Sequence, residues 1–359
     1  MRILHCISSL EMGGAERQLA LLAGAQVRSG HVVHVALVRG GANLPSVEEA
    51  GVTVHVLPVR GNSDPALVTG LLRTVLSMRP DLVQTWLPQM DVAGGIASLL
   101  TKTPWLLAER SSKGCYAPGW KQRLRTIVGR MASGIVANSD CGEIYWRALA
   151  SHVPRWVIGN AVPLEQIQAT APAEAPPHSM LFVGRLDCGK RVDALLQALA
   201  RANGSVLGPL LICGDGPDRI ALEGLATRLG LKSRVRFLGI RADVWPLMRA
   251  AALVVNPSAF EGCPNVVLEA MAAGRPLVVS DIPAHRELLD EQAAWLVDFE
   301  DPDAVAVAIE EALLDRAEAT RRSEEAARRV EAFRIHRMVE QYDSTYRQVL
   351  AARGRRERA

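Results

Sequence analysis

The chain has 359 residues, 49% of them hydrophobic but only 4% aromatic, and a formal net charge of +3. That length exceeds one ordinary core and suits two α/β domains of about 100–200 residues each, with aliphatic interiors. The small net charge, with no RNA- or DNA-binding motif, excludes a nucleic-acid partner, and no run of about 18 or more apolar residues is present to span a membrane.

Residues 3–7 form the first expected strand, which runs through a turn containing Gly13 and Gly14 into a helix over 15–25. Glycines between a strand and a helix start let backbone approach a ligand closely. No third glycine completes a dinucleotide fingerprint. Strands over 32–38, 52–57, 82–85 and 105–108 then alternate with helices over 65–78 and 90–100, the pattern of a parallel, doubly wound sheet. His31, His34 and His55 lie within or beside strands without helical metal spacing, and read as strand or surface histidines.

After the strand at 105–108 come Glu109 and Arg110. An arginine stays protonated and cannot serve as a general base, but it can pair with phosphate or a glycan hydroxyl. Glu109 reads either as a site carboxylate or as a solvated loop acid. From Ser111 to Ser139 there is no acidic residue, while Lys113, Lys121, Arg123, Arg125 and Arg130 alternate with Tyr116, Trp120, Leu124, Ile127 and Val128. This basic, partly amphipathic segment suits an anionic lipid surface, or a solvated face near a phosphate-rich substrate. A strand over 135–139 and the run 156–163 close the first domain, and the proline-rich stretch 168–178 reads as a linker.

The second domain opens on a strand over 180–183 followed by Gly184, Arg185, Lys190 and Arg191 on a glycine-flanked loop. Positive charge there is what a departing diphosphate requires. A strand over 210–213 ends in Gly214-Asp215-Gly216-Pro217, and Val235 to Gly239 follows. A buried strand over 252–255 leads into Phe260-Glu261-Gly262-Cys263-Pro264-Asn265, then a helix over 266–273 closed by Gly274. Glu261 thus sits in the loop and Glu269 in the second turn. Asn265 is expected to cap the helix, leaving the amides of Val266, Val267 and Leu268 as an anion site. A ligand with a diphosphate and several hydroxyls, such as a nucleotide-sugar, suits both the amides and the carboxylates. A strand over 277–280, a helix over 284–289, a charge-rich helical region over 301–332 and a last helix over 335–353 complete the chain, with a basic tail from Arg353. Six scattered cysteines (Cys6, Cys115, Cys141, Cys188, Cys213, Cys263) without metal spacing read as free thiols in a reducing, cytoplasmic compartment, and Glu11 interrupts the apolar start, against a signal peptide.

The run Phe260-Glu261-Gly262, Asn265, Glu269-Ala270-Met271-Ala272 and Gly274-Arg275-Pro276 resembles the Glu-x7-Glu signature of retaining glycosyltransferases of family 4. Gly13-Gly14-Ala15-Glu16-Arg17 and Gly184-Arg185-Leu186 with Lys190 are similar to further motifs of that family. The resemblance implies the α/β GT-B fold, two Rossmann-like domains with parallel sheets facing across a cleft. Residues 1–167, joined by the C-terminal helix 335–359, would form the acceptor-binding domain, and 179–334 the nucleotide-sugar-binding domain, joined by the linker 168–178. Glu261, Arg185 and Lys190 would then be catalytic, and Gly184, Asn265, Val266, Val267, Glu269, Gly214, Gly239 and Ile240 donor-binding. Gly13, Gly14, Arg110 and Glu109 would line the acceptor side. The family's histidine after the strand at 105–108 is replaced by Arg110, and its usual Asn-Gly-Val by Asn160-Ala161-Val162. No Asp-x-Asp motif sits where a metal is needed, so no metal or cofactor is expected. The implied reaction is transfer of a hexose-type sugar from a nucleoside-diphosphate donor to a hydroxyl of a glycan or lipid-linked acceptor in surface polysaccharide synthesis. Two alternatives stay open: a silent nucleotide-sugar-binding partner of another transferase, and an epimerase of the same fold.

Overall fold

The computed structural model describes residues 1–62, 64–111, 116, 119–202 and 207–356. It divides into two compact units, Met1–Ala161 with Ile335–Ala359, and Val162–Arg334.

The first unit alternates β1 (Arg2–Cys6), α1 (Gly14–Arg28), β2 (Val32–Leu37), α2 (Leu44–Glu49), β3 (Thr53–Val56), α3 (Ala66–Met78), β4 (Leu82–Trp86), α4 (Pro88–Leu100), β5 (Trp105–Glu109), α5 (Trp120–Gly129), β6 (Gly134–Ala137), α6 (Asp140–Leu149) and β7 (Arg155–Val157). The second contains α7 (Leu164–Ala169), β8 (Met180–Val183), α8 (Val192–Arg201), β9 (Leu210–Cys213), α9 (Arg219–Arg228), β10 (Val235–Gly239), α10 (Val244–Ala250), β11 (Leu253–Asn256), α11 (Asn265–Ala272), β12 (Leu277–Ser280), α12 (Pro283–Arg286), β13 (Trp295–Val297), α13 (Pro302–Leu314) and α14 (Arg316–Arg329). The chain then returns to the first unit as α15 (Ile335–Arg356).

Every strand pair is parallel, in the orders β3-β2-β1-β4-β5-β6-β7 and β10-β9-β8-β11-β12-β13. Helices cover both faces of such a sheet, so its strands read as continuous apolar runs rather than alternating ones. β4, β5, β6, β9, β11 and β12 are buried at every residue. The direction of winding reverses between β1 and β4 and again between β8 and β11, which puts a crevice at the carboxyl ends of those strands in each unit.

Three sequence-based boundaries shift. Val162, Leu164 and Ile167 sink into the second unit's core, and Arg249 donates to the carbonyls of Ile167 and Gln168. The first unit therefore ends at Ala161 rather than 167, and the proline-rich stretch lies along the second unit, with the Ala173 N–H donating to the Pro246 carbonyl at 2.9 Å. Asn265 is the first residue of α11, with Pro264 in the capping position. Arg353–Arg356 continue α15 rather than starting a tail; Glu357 and Arg358 lie outside the described residues. None of the five described cysteines forms a disulfide, and Cys115 lies outside the described residues. Among the described residues no helix is long and apolar enough to cross a membrane.

α15 is fastened by a buried polar chain beneath β1. Gln26 donates to the Tyr346 hydroxyl at 3.1 Å, Tyr346 donates to Gln84, and His5 Nε2 donates to Gln26 Oε1 at 2.8 Å. Trp86 Nε1 donates to His5 Nδ1 at 3.2 Å, so the imidazole is neutral with its proton on Nε2. Burial pushes the pKa of His5 from 6.5 down to about 4. Between those values the unfolded chain holds more protons than the folded one, so this contribution grows as pH rises from 4 to 6.5 and is lost as pH falls. The stability advantage of the wild type over His5→Gln is expected to increase by about 3 kcal/mol across that window, measured by urea unfolding at both ends.

Candidate functional site

In the second unit the loops after β8, β9, β10 and β11 are joined main chain to main chain. Gly184 N–H donates to the Cys213 carbonyl at 3.0 Å, Gly214 to Gly239 at 2.8 Å, Leu186 to Asp215 at 3.0 Å and Ala259 to Gly189 at 2.9 Å. Gly214 has φ of 148°, and a Cβ on it would stand 1.8 Å from the Gly184 carbonyl oxygen. Only glycine permits that approach. β10 carries a register shift between Phe237 and Gly239, which turns the Gly239 carbonyl toward Gly214. The neighbouring Ile240 is exposed.

On this frame the loop after β8 meets the loop after β11. Lys190 forms an ion pair with Glu261 Oε1, and Ser258 Oγ donates to the same oxygen at 2.8 Å. Among the described residues no protein donor engages Oε2, so the carboxylate is held by one oxygen and presents the other. Phe260 lies over Gly189, where a Cβ would come within 2.9 Å of its ring. The Arg185 side chain is 72% exposed, its nearest carboxylate being Asp187 at 3.5 Å. Glu269 is buried in α11. The Leu268 N–H, expected to be available, donates to the Pro264 carbonyl at 3.2 Å, which leaves Val266 and Val267 as the amides at the open end of the helix.

Behind Glu261 stand three residues that carry no motif. Ser280 Oγ donates to the Ser258 carbonyl. His285 is fully buried, its Nδ1 donating to the Ser280 carbonyl at 2.7 Å, while its Nε2 is buried without a partner. Burial lowers its pKa. The only trace in the sequence is a short polar residue closing, or just following, consecutive buried strands.

The first unit's reversal point is built differently. Gly13 caps α1, and a Cβ there would fall 2.1 Å from Glu16 Oε2; the Glu16 carboxylate folds over the helix opening, its pKa raised by burial. This helix start is closed by its own acid, unlike that of α11. Leu87, just after β4, has φ of 74° and ψ of 150°, a backbone state favoured by glycine and held by a bulky residue only where the surroundings enforce it. Arg110 lies 4.8 Å over the Trp86 ring and donates to Asn160. Next to Asn160, Ala161 exchanges two hydrogen bonds with Gln18 of α1, at 2.7 and 2.8 Å. Arg110 is thus linked to α1 through the consecutive residues Asn160 and Ala161.

Glu109 points away from that group. It is fully buried, with Oε2 accepting from Trp146 Nε1 at 2.8 Å and ion-paired with Arg125 at 3.0 Å, and Oε1 accepting from the Ser111 N–H at 3.0 Å and the Tyr116 hydroxyl. It is neither a solvated loop acid nor an open site carboxylate; its partners come from α5, α6 and the residues Ser111 and Tyr116 that precede α5. Arg125, counted from the sequence as part of a basic surface, is buried between Glu109 and Asp91, at 2.7 Å from the latter. Lys113 lies outside the described residues.

Residues 13–160 match the model of the glycosyl transferase 4-like domain, and 177–315 match glycosyl transferases group 1. An uncharacterized glycosyltransferase of Methanocaldococcus jannaschii is 36% identical over 339 residues, 85% of this chain and 86% of that one. An α-1,4-N-acetyl-D-galactosaminyltransferase of Campylobacter jejuni, named for a PP-undecaprenol-linked glycan, is 24% identical over 280 residues, 76% of this chain and 77% of that one. The crystal structure of Anabaena HepE in complex with UDP-glucose superposes with a TM-score of 0.87 at 25% identity, covering 97% of this chain and 100% of that one.

Proposed function

Because the chain belongs to the GT-B glycosyltransferases, we propose that it is a retaining, metal-independent enzyme that moves a hexose-type sugar from a nucleoside diphosphate to a hydroxyl of a lipid-linked glycan. The observation that carries this reading is the Lys190–Glu261 pair at the second unit's reversal point, beside the open end of α11. Glu261 Oε2 accepts from the donor sugar's hydroxyls, and Glu269 from the ribose diol. The amides of Val266 and Val267 meet the diphosphate, aided by the helix dipole. The base is held by main chain near Gly239 and Ile240.

In the transfer, the bond from the anomeric carbon to the β-phosphate oxygen breaks with its electron pair going to the diphosphate. The acceptor oxygen attacks from the same face, and its proton passes to the departing phosphate. Negative charge grows on the diphosphate as this happens. Lys190 has two ammonium protons beyond the one given to Glu261, and with Arg185 it answers that charge without a metal ion. Arg110, stacked on Trp86, is the polar group for the acceptor in the first unit.

The test is a nucleotide-release screen with UDP-, GDP-, ADP- and TDP-sugars, UDP-glucose first, with and without EDTA. One donor should release its diphosphate slowly, EDTA should leave the rate unchanged, and Glu261→Ala should abolish it. Binding of several donors with no cleavage, even with lipid-linked acceptors, would favour a silent sugar-nucleotide-binding partner, and conversion of the donor to an isomer would favour an epimerase.

The lipid side of the reading rests on α5. This helix has no acidic residue and exposes Trp120 (70%), Ile127 (58%), Lys121 and Arg123, with Arg130 and Met131 continuing the face. An interfacial tryptophan among cations suits an anionic bilayer. The wild type should pellet with phosphatidylglycerol vesicles and not with phosphatidylcholine, and the double variant Trp120→Ala, Lys121→Glu should stay in the supernatant. A wild type that remains in the supernatant with both vesicle types sinks the lipid-surface reading.

A further inference from the structure

We infer that His285 is a positioning residue that fixes the carboxylate of Glu261 through Ser280 and Ser258; this rests on the donor-binding role proposed for Glu261. His285 lies within α12 and is fully buried, its chain neighbours Ala284, Leu288 and Leu289 are buried too, and a leucine in its place would bury no polar atom. The histidine instead leaves Nε2 without a partner, a desolvation cost that core packing does not explain.

What the imidazole does make is a directed chain. Its Nδ1–H donates to the Ser280 carbonyl at 2.7 Å and lies 3.2 Å from the Ser280 hydroxyl. That hydroxyl donates across the sheet to the Ser258 carbonyl, and the Ser258 N–H donates to Asn256 Oδ1 at 3.2 Å. The Ser258 hydroxyl then donates to Glu261 Oε1 at 2.8 Å. The end of β12 is in this way tied to the end of β11, and the last link is the one donor besides Lys190 that holds Oε1 among the described residues. With the tie in place Oε2 faces outward in a single orientation. Without it Lys190 alone holds Glu261, through a flexible stem able to swing with its partner.

The experiment compares His285→Leu, His285→Asn, Ser258→Ala and the pair His285→Leu with Ser258→Ala, each with UDP-glucose and the other donors of the screen. Asparagine keeps an N–H near the place of Nδ1 but has nothing at Nε2. Turnover should fall about 10- to 100-fold in His285→Leu and in Ser258→Ala, the range for a small misplacement of a positioning group. UDP affinity should stay within about twofold, His285→Asn should recover most of the rate, and the double variant should be no worse than the stronger single one, as for members of one chain. Unchanged turnover, losses that multiply, or UDP affinity falling in step with turnover would each overturn the inference. If the wild type cleaves no donor, the proposed function fails, and the inference is decided by a crystal structure of His285→Leu. A Glu261 side chain that leaves Ser258 upholds it, and one that keeps the contact overturns it. Should His285→Leu fail to fold, Ser258→Ala carries the same test, with its crystal structure read for the orientation of Glu261.

Discussion

Lys190→Met lowers donor cleavage by about 10²- to 10³-fold, the loss that follows removal of one group aimed at charge developing in a transition state. The ammonium ion is held in place by Glu261 before any donor arrives, so it needs no rearrangement as the diphosphate departs. Methionine keeps most of the stem and removes the charge. It also frees Glu261 from one of its two partners, leaving Ser258 to hold Oε1. The loss is therefore expected in kcat more than in donor KM, because the phosphate contacts proposed for the amides of Val266 and Val267 are untouched. Arg185→Met should cost less, since its side chain is largely exposed. Single-turnover nucleotide release at saturating donor measures both. A Lys190→Met enzyme within threefold of the wild type would remove this lysine from the chemistry.

Arg125→Met is expected to destabilise the protein by about 3–5 kcal/mol, the range for breaking a buried ion pair by removing one partner. The guanidinium is 1% exposed and spans Asp91 and Glu109, both fully buried, with the Tyr116 and Trp146 rings 4.8 and 5.3 Å from it. Even beside this cation, burial holds the Asp91 carboxyl up, at about 6 instead of 3.8. A raised acid pKa means that the folded state holds the extra proton between those values, so stability falls as pH rises through that window. Taking the guanidinium away raises the Asp91 carboxyl further, since the cation works against the effect of burial. The deficit of Arg125→Met against the wild type should then shrink at pH 5 and widen at pH 8, as read by urea unfolding. In the wild type the opposite slopes from His5 and Asp91 nearly offset each other between pH 4 and 6, so single variants reveal what the parent protein conceals.

Much of the second unit's site was legible because its chemistry is local. Gly184, Gly214 and Gly239 end consecutive strands, and Glu261 and Glu269 flank one turn, so a short window holds both the residues and their geometry. The cap of α11 departs from the sequence expectation because asparagine is a favoured cap by type, whereas Pro264 already occupies the position. Glu109 and Arg125 depart from expectation for a different reason. Each looks like surface charge in its own segment, and only the packing of α4, α5 and α6 against β5 brings them together. Ser258, Ser280 and His285 carried no pattern at all, since their bonds cross from one strand end to the next. The shift of the first boundary to Ala161 has the same origin, for Val162, Leu164 and Ile167 are apolar in a stretch whose prolines suggest a tether.

The main-chain joints among the loops after β8, β9 and β10 have a practical consequence for engineering. Amide and carbonyl groups make those joints, provided the glycines at 214, 216 and 239 are kept. The Cys188 side chain is exposed on this scaffold and makes none of the joints, so a library varied at that codon changes the loop surface while the backbone frame retains its shape.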